Sequence, residues 1–286
     1  MSLLKLFRDI TVEKPVVVVA LEGWIDAGFA AEQAMSHIMK HTDPTVLGMF
    51  DANELIDFRS RRPTMIISDG VNKGINWPKI EILAAHDGFG NDLLLVVGVE
   101  PDLRWREFSR EVVDLAFNLQ AKFIVGFGAF PAPAPHTRPV RLAATSTDEE
   151  LAKQVGFING SIEVPAGIQA AIEEASLRKN IRTIGLWARV PHYVASMKFP
   201  GAAAALIDGL CQITGVSLDS SELFAQADIT GEKVDQLISE SDEHVNMVKL
   251  LESNIDISEG NALEVDEIPS GDEIADELEK FLRDQS

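Results

Sequence analysis

The chain has 286 residues, 46% of them aliphatic or aromatic, enough for a large buried core and too apolar for wholesale disorder. Its formal net charge of −20 argues against general binding to nucleic acid or anionic membranes, which needs clustered cations. No apolar run approaches the roughly 20 residues of a bilayer span. The N-terminus lacks a secretory pattern, and the single cysteine, Cys211, excludes an internal disulfide and a cysteine-based zinc site, so a cytoplasmic protein is expected.

In chain order, residues 16–21 form a continuous run of β-branched and aliphatic residues that reads as a strand covered on both faces. The turn Glu22-Gly23-Trp24-Ile25-Asp26-Ala27-Gly28 follows, with Asp26 placed to cap an alanine-rich helix that ends near Met39. Further strands are predicted at 46–50, 65–68, 80–85, 93–99, 123–127, 140–145 and 183–190. Residues 55–78, with glycine, asparagine and two prolines, read as a hairpin or ribbon excursion. Phe108, Val112, Leu115 and Leu119 recur at helical spacing and predict a helix over 105–120. Two more are expected at 165–179, where proline comes early and lysine late, and at 201–213. This alternation of strands and helices predicts a wound α/β fold.

After Gly215 the character changes. Residues 216–286 carry 20 acidic and 4 basic side chains, whereas residues 1–215 carry 25 and 21. The expected division is therefore an α/β body, 1–215, and an acidic helical C-terminal extension, 216–286. Helical spacing runs over 221–251 and again over 272–283, and these apolar stripes need a surface to cover them, on the body or on a neighbouring subunit.

No G-x-S-x-G elbow, H-E-x-x-H helix or phosphate-cradling loop is present, and no complete catalytic motif of any kind. Gly126-Phe127-Gly128 follows a strand, but Pro131 stands where a dinucleotide fingerprint has its last glycine. Polar residues instead cluster just after the strands, and in wound sheets the loops beyond the carboxyl ends of parallel strands converge. Trp24, Asp26, Glu100, His136, Arg138, His192 and Tyr193 are thus the candidate lining of one crevice. Arg138 could hold an anion there, or a His–Asp pair could move a proton. Each also has a structural reading. Asp26 can be a helix cap, His136 and Arg138 can satisfy stray carbonyls of a stiff proline loop, and His192 with Tyr193 can pack a loop or an interface. Asp26 and isolated histidines do not make a metal-ligand set, so neither metal nor cofactor is expected. Arg59, Arg61 and Arg62 form a basic patch expected to pair with acidic residues, within the chain or on another subunit.

Taken in order, Gly23-Trp24-Ile25-Asp26-Ala27-Gly28, Asp57-Phe58-Arg59-Ser60-Arg61-Arg62-Pro63, residues 128–131 with Pro135-His136-Thr137-Arg138-Pro139, and Pro191-His192-Tyr193 resemble the PAC2 family, the proteasome-assembly-chaperone-2-like proteins. The likeness covers about residues 5–215, and the extension is similar to the extended bacterial, especially actinobacterial, branch. It implies a phosphorylase/hydrolase-like three-layer α/β/α fold on a wound mixed sheet, self-association (a trimer is the specific expectation), and kinship to chaperones of proteasome assembly. Members that dock on the proteasome end in a hydrophobic residue, a tyrosine and one final residue. This chain ends Leu282-Arg283-Asp284-Gln285-Ser286 and has Tyr193 as its one tyrosine, so docking by that route is not expected. The leading expectation is a non-catalytic, oligomeric assembly or scaffold protein with no nucleic-acid or membrane partner. The alternative is an enzyme or sensor that binds an anionic metabolite or nucleoside in the rim crevice.

Overall fold

The computed structural model describes residues 2–9, 12–23, 25–158 and 160–260. Trp24 and the helix expected over 272–283 lie outside the described residues. In chain order the elements are β1 (Leu4–Leu6), β2 (Val16–Glu22), a 3-10 turn (Ala27–Phe29), α1 (Ala30–Thr42), β3 (Thr45–Phe50), α2 (Ala52–Leu55), β4 (Thr64–Ser68), β5 (Val71–Asn76), β6 (Ile80–His86) and β7 (Asp92–Val99). There follow α3 (Trp105–Asn118), β8 (Phe123–Ala132), β9 (Leu142–Ser146), α4 (Glu149–Val155), α5 (Ile168–Leu177), β10 (Thr183–Pro191), a second 3-10 turn (His192–Val194), α6 (Pro200–Thr214), α7 (Ser221–Ile238) and α8 (Asp242–Gly260).

Eight strands form one mixed sheet in the order β1-β3-β6-β7-β2-β8-β10-β9. The central four, β7, β2, β8 and β10, are mutually parallel, and the flanking pairings are antiparallel. β2 is covered on both faces because its side chains alternate. Val16 and Val18 enter the core under α1 and α6, while Val17 and Val19 enter the core under α3 and α5. Leu93 and Leu95 against Leu94 and Val96 repeat the pattern on β7. The result is three layers, helix on sheet on helix, as expected for the wound α/β class.

The predicted ribbon is β4–β5, a hairpin closed by Asp69-Gly70 with φ of 51° and 77°, the positive values that a two-residue turn of the favoured hand demands. Every residue of both strands is exposed. The expected 221–251 helix is two helices, interrupted at 239–241, where Ser239-Glu240-Ser241 favours turn bonds over continuation. β1, α2 and α4 were not foreseen; all three are short, and short elements carry little periodic signal. No described helix is long and apolar enough to cross a membrane.

Candidate functional site

The four parallel strands end at Val99, Glu22, Ala132 and Pro191, so the loops after β7, β2, β8 and β10 share one rim. His86 to Asn91, also noted as a polar post-strand segment, lies at the opposite end, because β6 runs antiparallel to β7. The rim residues fall into two groups with different partners.

Asp26 and Glu100 form the first group. The Asp26 carboxylate accepts from the amides of Ala31, at 2.8 Å, and Glu32, at 3.0 Å, in the first turn of α1. Burial raises its pKa despite these two donors. Its loop is locked by Gly28, whose φ of 66° is left-handed and whose missing Cβ leaves space for Phe199 Cβ, 2.8 Å from where it would stand. Gly28 N–H donates to the Ala195 carbonyl at 2.7 Å and Phe199 N–H to the Gly28 carbonyl at 2.9 Å, stitching the β2 loop to the segment after β10. Glu100 is buried, and its carboxylate accepts from the Ile168 amide, 2.7 Å away at the start of α5. Gly23 is required beside it, since an added Cβ would stand 2.4 Å from Glu100 Oε2.

The second group is the proline loop after β8. Tyr193 Oη lies 2.8 Å from both the backbone nitrogen and Nδ1 of His136. The phenol accepts from the amide and donates to Nδ1, which places the imidazole proton on Nε2, where it donates to Asp235 of α7 at 2.9 Å. The His136 side chain is 1% exposed. Arg138 makes a two-pronged contact with Asp256 of α8, Nε to Oδ1 at 2.9 Å and Nη2 to Oδ2 at 2.8 Å, and reaches Glu252 at 3.2 Å. Thr137 Oγ1 also donates to Glu252. The carboxylates that Arg138 holds thus come from the acidic extension of the same chain. His192 is exposed and stacks edge-on against Tyr193, with ring centroids 5.2 Å apart.

Tyr193, His136 and Asp235 are linked in the order of a relay, and the electrostatics work against ionisation of the phenol. Burial, with Glu252 and Asp235 nearby, pushes the Tyr193 pKa up to about 12, so the phenol keeps its proton. The chain of hydrogen bonds fastens α7 to the loop.

Sequence reasoning missed a polar cluster on the α5 side of the sheet. Trp187 Nε1 donates to Thr145 Oγ1 at 3.1 Å, and Thr145 Oγ1 donates to Glu173 Oε1 at 2.8 Å. Gln169, one helical turn earlier on α5, donates to the same oxygen at 3.3 Å. Burial raises the Glu173 pKa. Gly126 and Gly128, read above only as a failed fingerprint, make the room. A Cβ at Gly126 would stand 2.0 Å from Gln169 Cδ, and one at Gly128 2.4 Å from Trp187 Cζ3. The usable signal was the i, i+4 pair Gln169 and Glu173 opposite alternating glycines. A cavity of about 40 Å³ lies between Leu21, Ile25, Glu100, Gln169 and Trp187. It has space for water molecules, far below the few hundred Å³ of a metabolite site. Of the basic patch, Arg61 pairs within the chain, Nε to Asp102 at 3.3 Å.

No match is found among curated proteins. Solved structures do match. A protein of unknown function from Corynebacterium glutamicum is 28% identical with a TM-score of 0.85, over 90% of this chain and 97% of that one. A Mycobacterium tuberculosis proteasome-assembly chaperone homologue is 32% identical with a TM-score of 0.76, over 82% and 99%. A PAC2 family protein from Streptomyces avermitilis is 35% identical with a TM-score of 0.73, again over 82% and 99%. The PAC2 family model itself aligns with residues 20–238, from the end of β2 through α7, and on that extent of match the chain belongs to the PAC2 family.

Proposed function

We propose that the protein is a non-catalytic, chaperone-like assembly factor that works as a homo-oligomer, a trimer being the specific expectation, in the cytoplasm. The observation that carries this reading is the β4–β5 ribbon. Met65, Ile66, Ile67, Val71 and Ile75 are all between 43% and 58% exposed, and Trp77 at its base is 55% exposed. An isolated two-stranded hairpin is marginal in water, and apolar side chains on both its faces call for a protein surface to cover them. Asp69 and Lys73 balance, so the ribbon is electrically neutral on a strongly acidic chain, and a second acidic copy meets little repulsion there. The rim supports the same reading from the other side. Asp26 and Glu100 hold helix starts, while His136 and Arg138 hold the extension, so their polar groups are engaged in architecture. Kinship with a proteasome-assembly chaperone homologue supports a proteasome-related protein partner.

Light scattering on the full chain is expected to give an oligomer at micromolar concentration, and Ile67→Asp with Val71→Asp a monomer of unchanged circular dichroism. A wild type that is monomeric, or a double variant that still assembles, overturns the self-association. For the partner, co-purification with proteasome α-subunits is expected from wild type and not from the ribbon variant.

A further inference from the structure

We propose that His37, His41 and Glu222 form a binding site for a divalent transition metal of the zinc class, which ties the extension to the body. The three residues lie away from the strand-end rim, where the C-terminal half of α1 meets the first turn of α7. His37 and His41 are four residues apart, the spacing that sets two side chains on one helix face, and their ring centroids are 4.2 Å apart. Glu222 arrives from 181 residues further along the chain, and its Oε2 is 3.1 Å from His41 Nε2. That is close to the separation of two donors on one tetrahedral ion when each is about 2 Å from it. One ligand atom from each of the three residues lies within 4.8 Å of the others.

The surroundings fit a metal centre. His37 is buried, and the Asp219 carbonyl, 2.7 Å from its Nε2, orients the ring as backbone carbonyls orient ligand histidines. His41 and Glu222 are 44% and 41% exposed, which leaves solvent a path to complete the coordination. Two imidazoles with one carboxylate suit Zn²⁺, Co²⁺ or Ni²⁺ and not Ca²⁺ or Mg²⁺, which take oxygen donors. Lys40 is the competitor. Its ammonium contacts both Glu222 oxygens, at 2.7 and 2.8 Å, and at 62% exposure it swings into solvent when the ion arrives. Binding then links α1 to α7 directly and slows release of the extension.

The test is calorimetric titration of chelator-treated, tag-free full-length protein with Zn²⁺. One ion per chain is expected with a micromolar dissociation constant, with a rise in thermal midpoint and slower proteolysis between α6 and α7. His41→Ala and Glu222→Gln are expected to weaken binding about tenfold or more, as loss of a ligand or its support does. Lys40→Ala is expected to tighten it about tenfold, because an ammonium beside the ion repels it. Circular dichroism separates misfolding from site loss in the first two variants, and Lys40→Ala removes no ligand. Absence of stoichiometric binding, equal affinity in all four proteins, or weaker binding in Lys40→Ala overturns the proposal.

Discussion

Glu173 is a half-buried carboxyl on the sheet side of α5, where Thr145 and Gln169 both donate to one of its oxygens. Burial lifts its pKa in the folded state above the unfolded value, so the folded protein binds a proton more readily between the two. The contribution to stability is therefore best at acidic pH and declines as pH rises from about 4.3, the ordinary glutamate value, through the raised one. Glu173→Gln keeps an acceptor for Thr145 and removes the buried charge. It is expected to raise the thermal midpoint at neutral pH and to narrow the difference between acidic and neutral melts. A variant less stable than wild type at neutral pH contradicts this account. Asp26, the other carboxyl raised by burial, shows how a residue can be read locally: its amide partners are five and six residues ahead, within reach of a turn-then-helix pattern. Glu173 was opaque because its environment is assembled from three strands and a helix.

At the level of elements, α7 and α8 behave as a strap over the proline loop. α7 buries Leu223 and Val234, and α8 buries Val248 and Leu251, while Phe224, Ile229, Leu237, Leu250 and Ile257 face outward. The polar fastening is Arg138 with Glu252 and Asp256, Thr137 with Glu252, and His136 with Asp235. The Arg138 guanidinium lowers the Asp256 pKa, and Lys40 with His41 lowers that of Glu222 at the start of α7. A depressed carboxylate stabilises the fold above its unfolded pKa, about 4, and that support disappears as pH falls through the lower folded value. The protection of α8 amides, taken relative to their intrinsic exchange at each pH, is therefore expected to be high at neutral pH and to fall below about pH 4. Arg138→Ala should make α8 exchange fast even at neutral pH with little change in global stability, since exposed ion pairs contribute little. Unchanged α8 exchange in that variant sinks the strap. The helical periodicity of this region was visible, as were the acidic balance and the cationic loop. That they meet within one chain was not, because His136 and Asp235 are separated by 99 residues and charge complementarity alone does not choose between a neighbour and oneself.

For the whole molecule, two features work against each other: a net charge of −20 and an exposed apolar ribbon. Self-association through the ribbon brings like charges together, so its strength should rise with ionic strength as screening shortens their reach to about 10 Å at 0.1 M salt. Sedimentation across a salt series is expected to show larger assemblies at physiological salt than at low salt; assembly that dissolves on adding salt would point to ion pairs at the interface instead.

Strands 16–21, 80–85 and 93–99, the helix over 105–120 and the ribbon could all be read in advance, because alternation, 3.6-residue spacing and turn chemistry are properties of neighbouring residues. The ordered motifs that carry the family resemblance were legible for the same reason. Sheet order was a matter of folding: β6 lies antiparallel beside β7, which sends the polar turn at 86–91 to the far end, away from the rim. So was the fate of the rim residues, since whether a carboxylate, an imidazole or a guanidinium faces solvent or a helix depends on contacts closed by distant segments. Gly126 and Gly128 make the division plain. Their presence is written in the chain, but the side chains they make room for, Gln169 and Trp187, arrive from elements more than forty residues away.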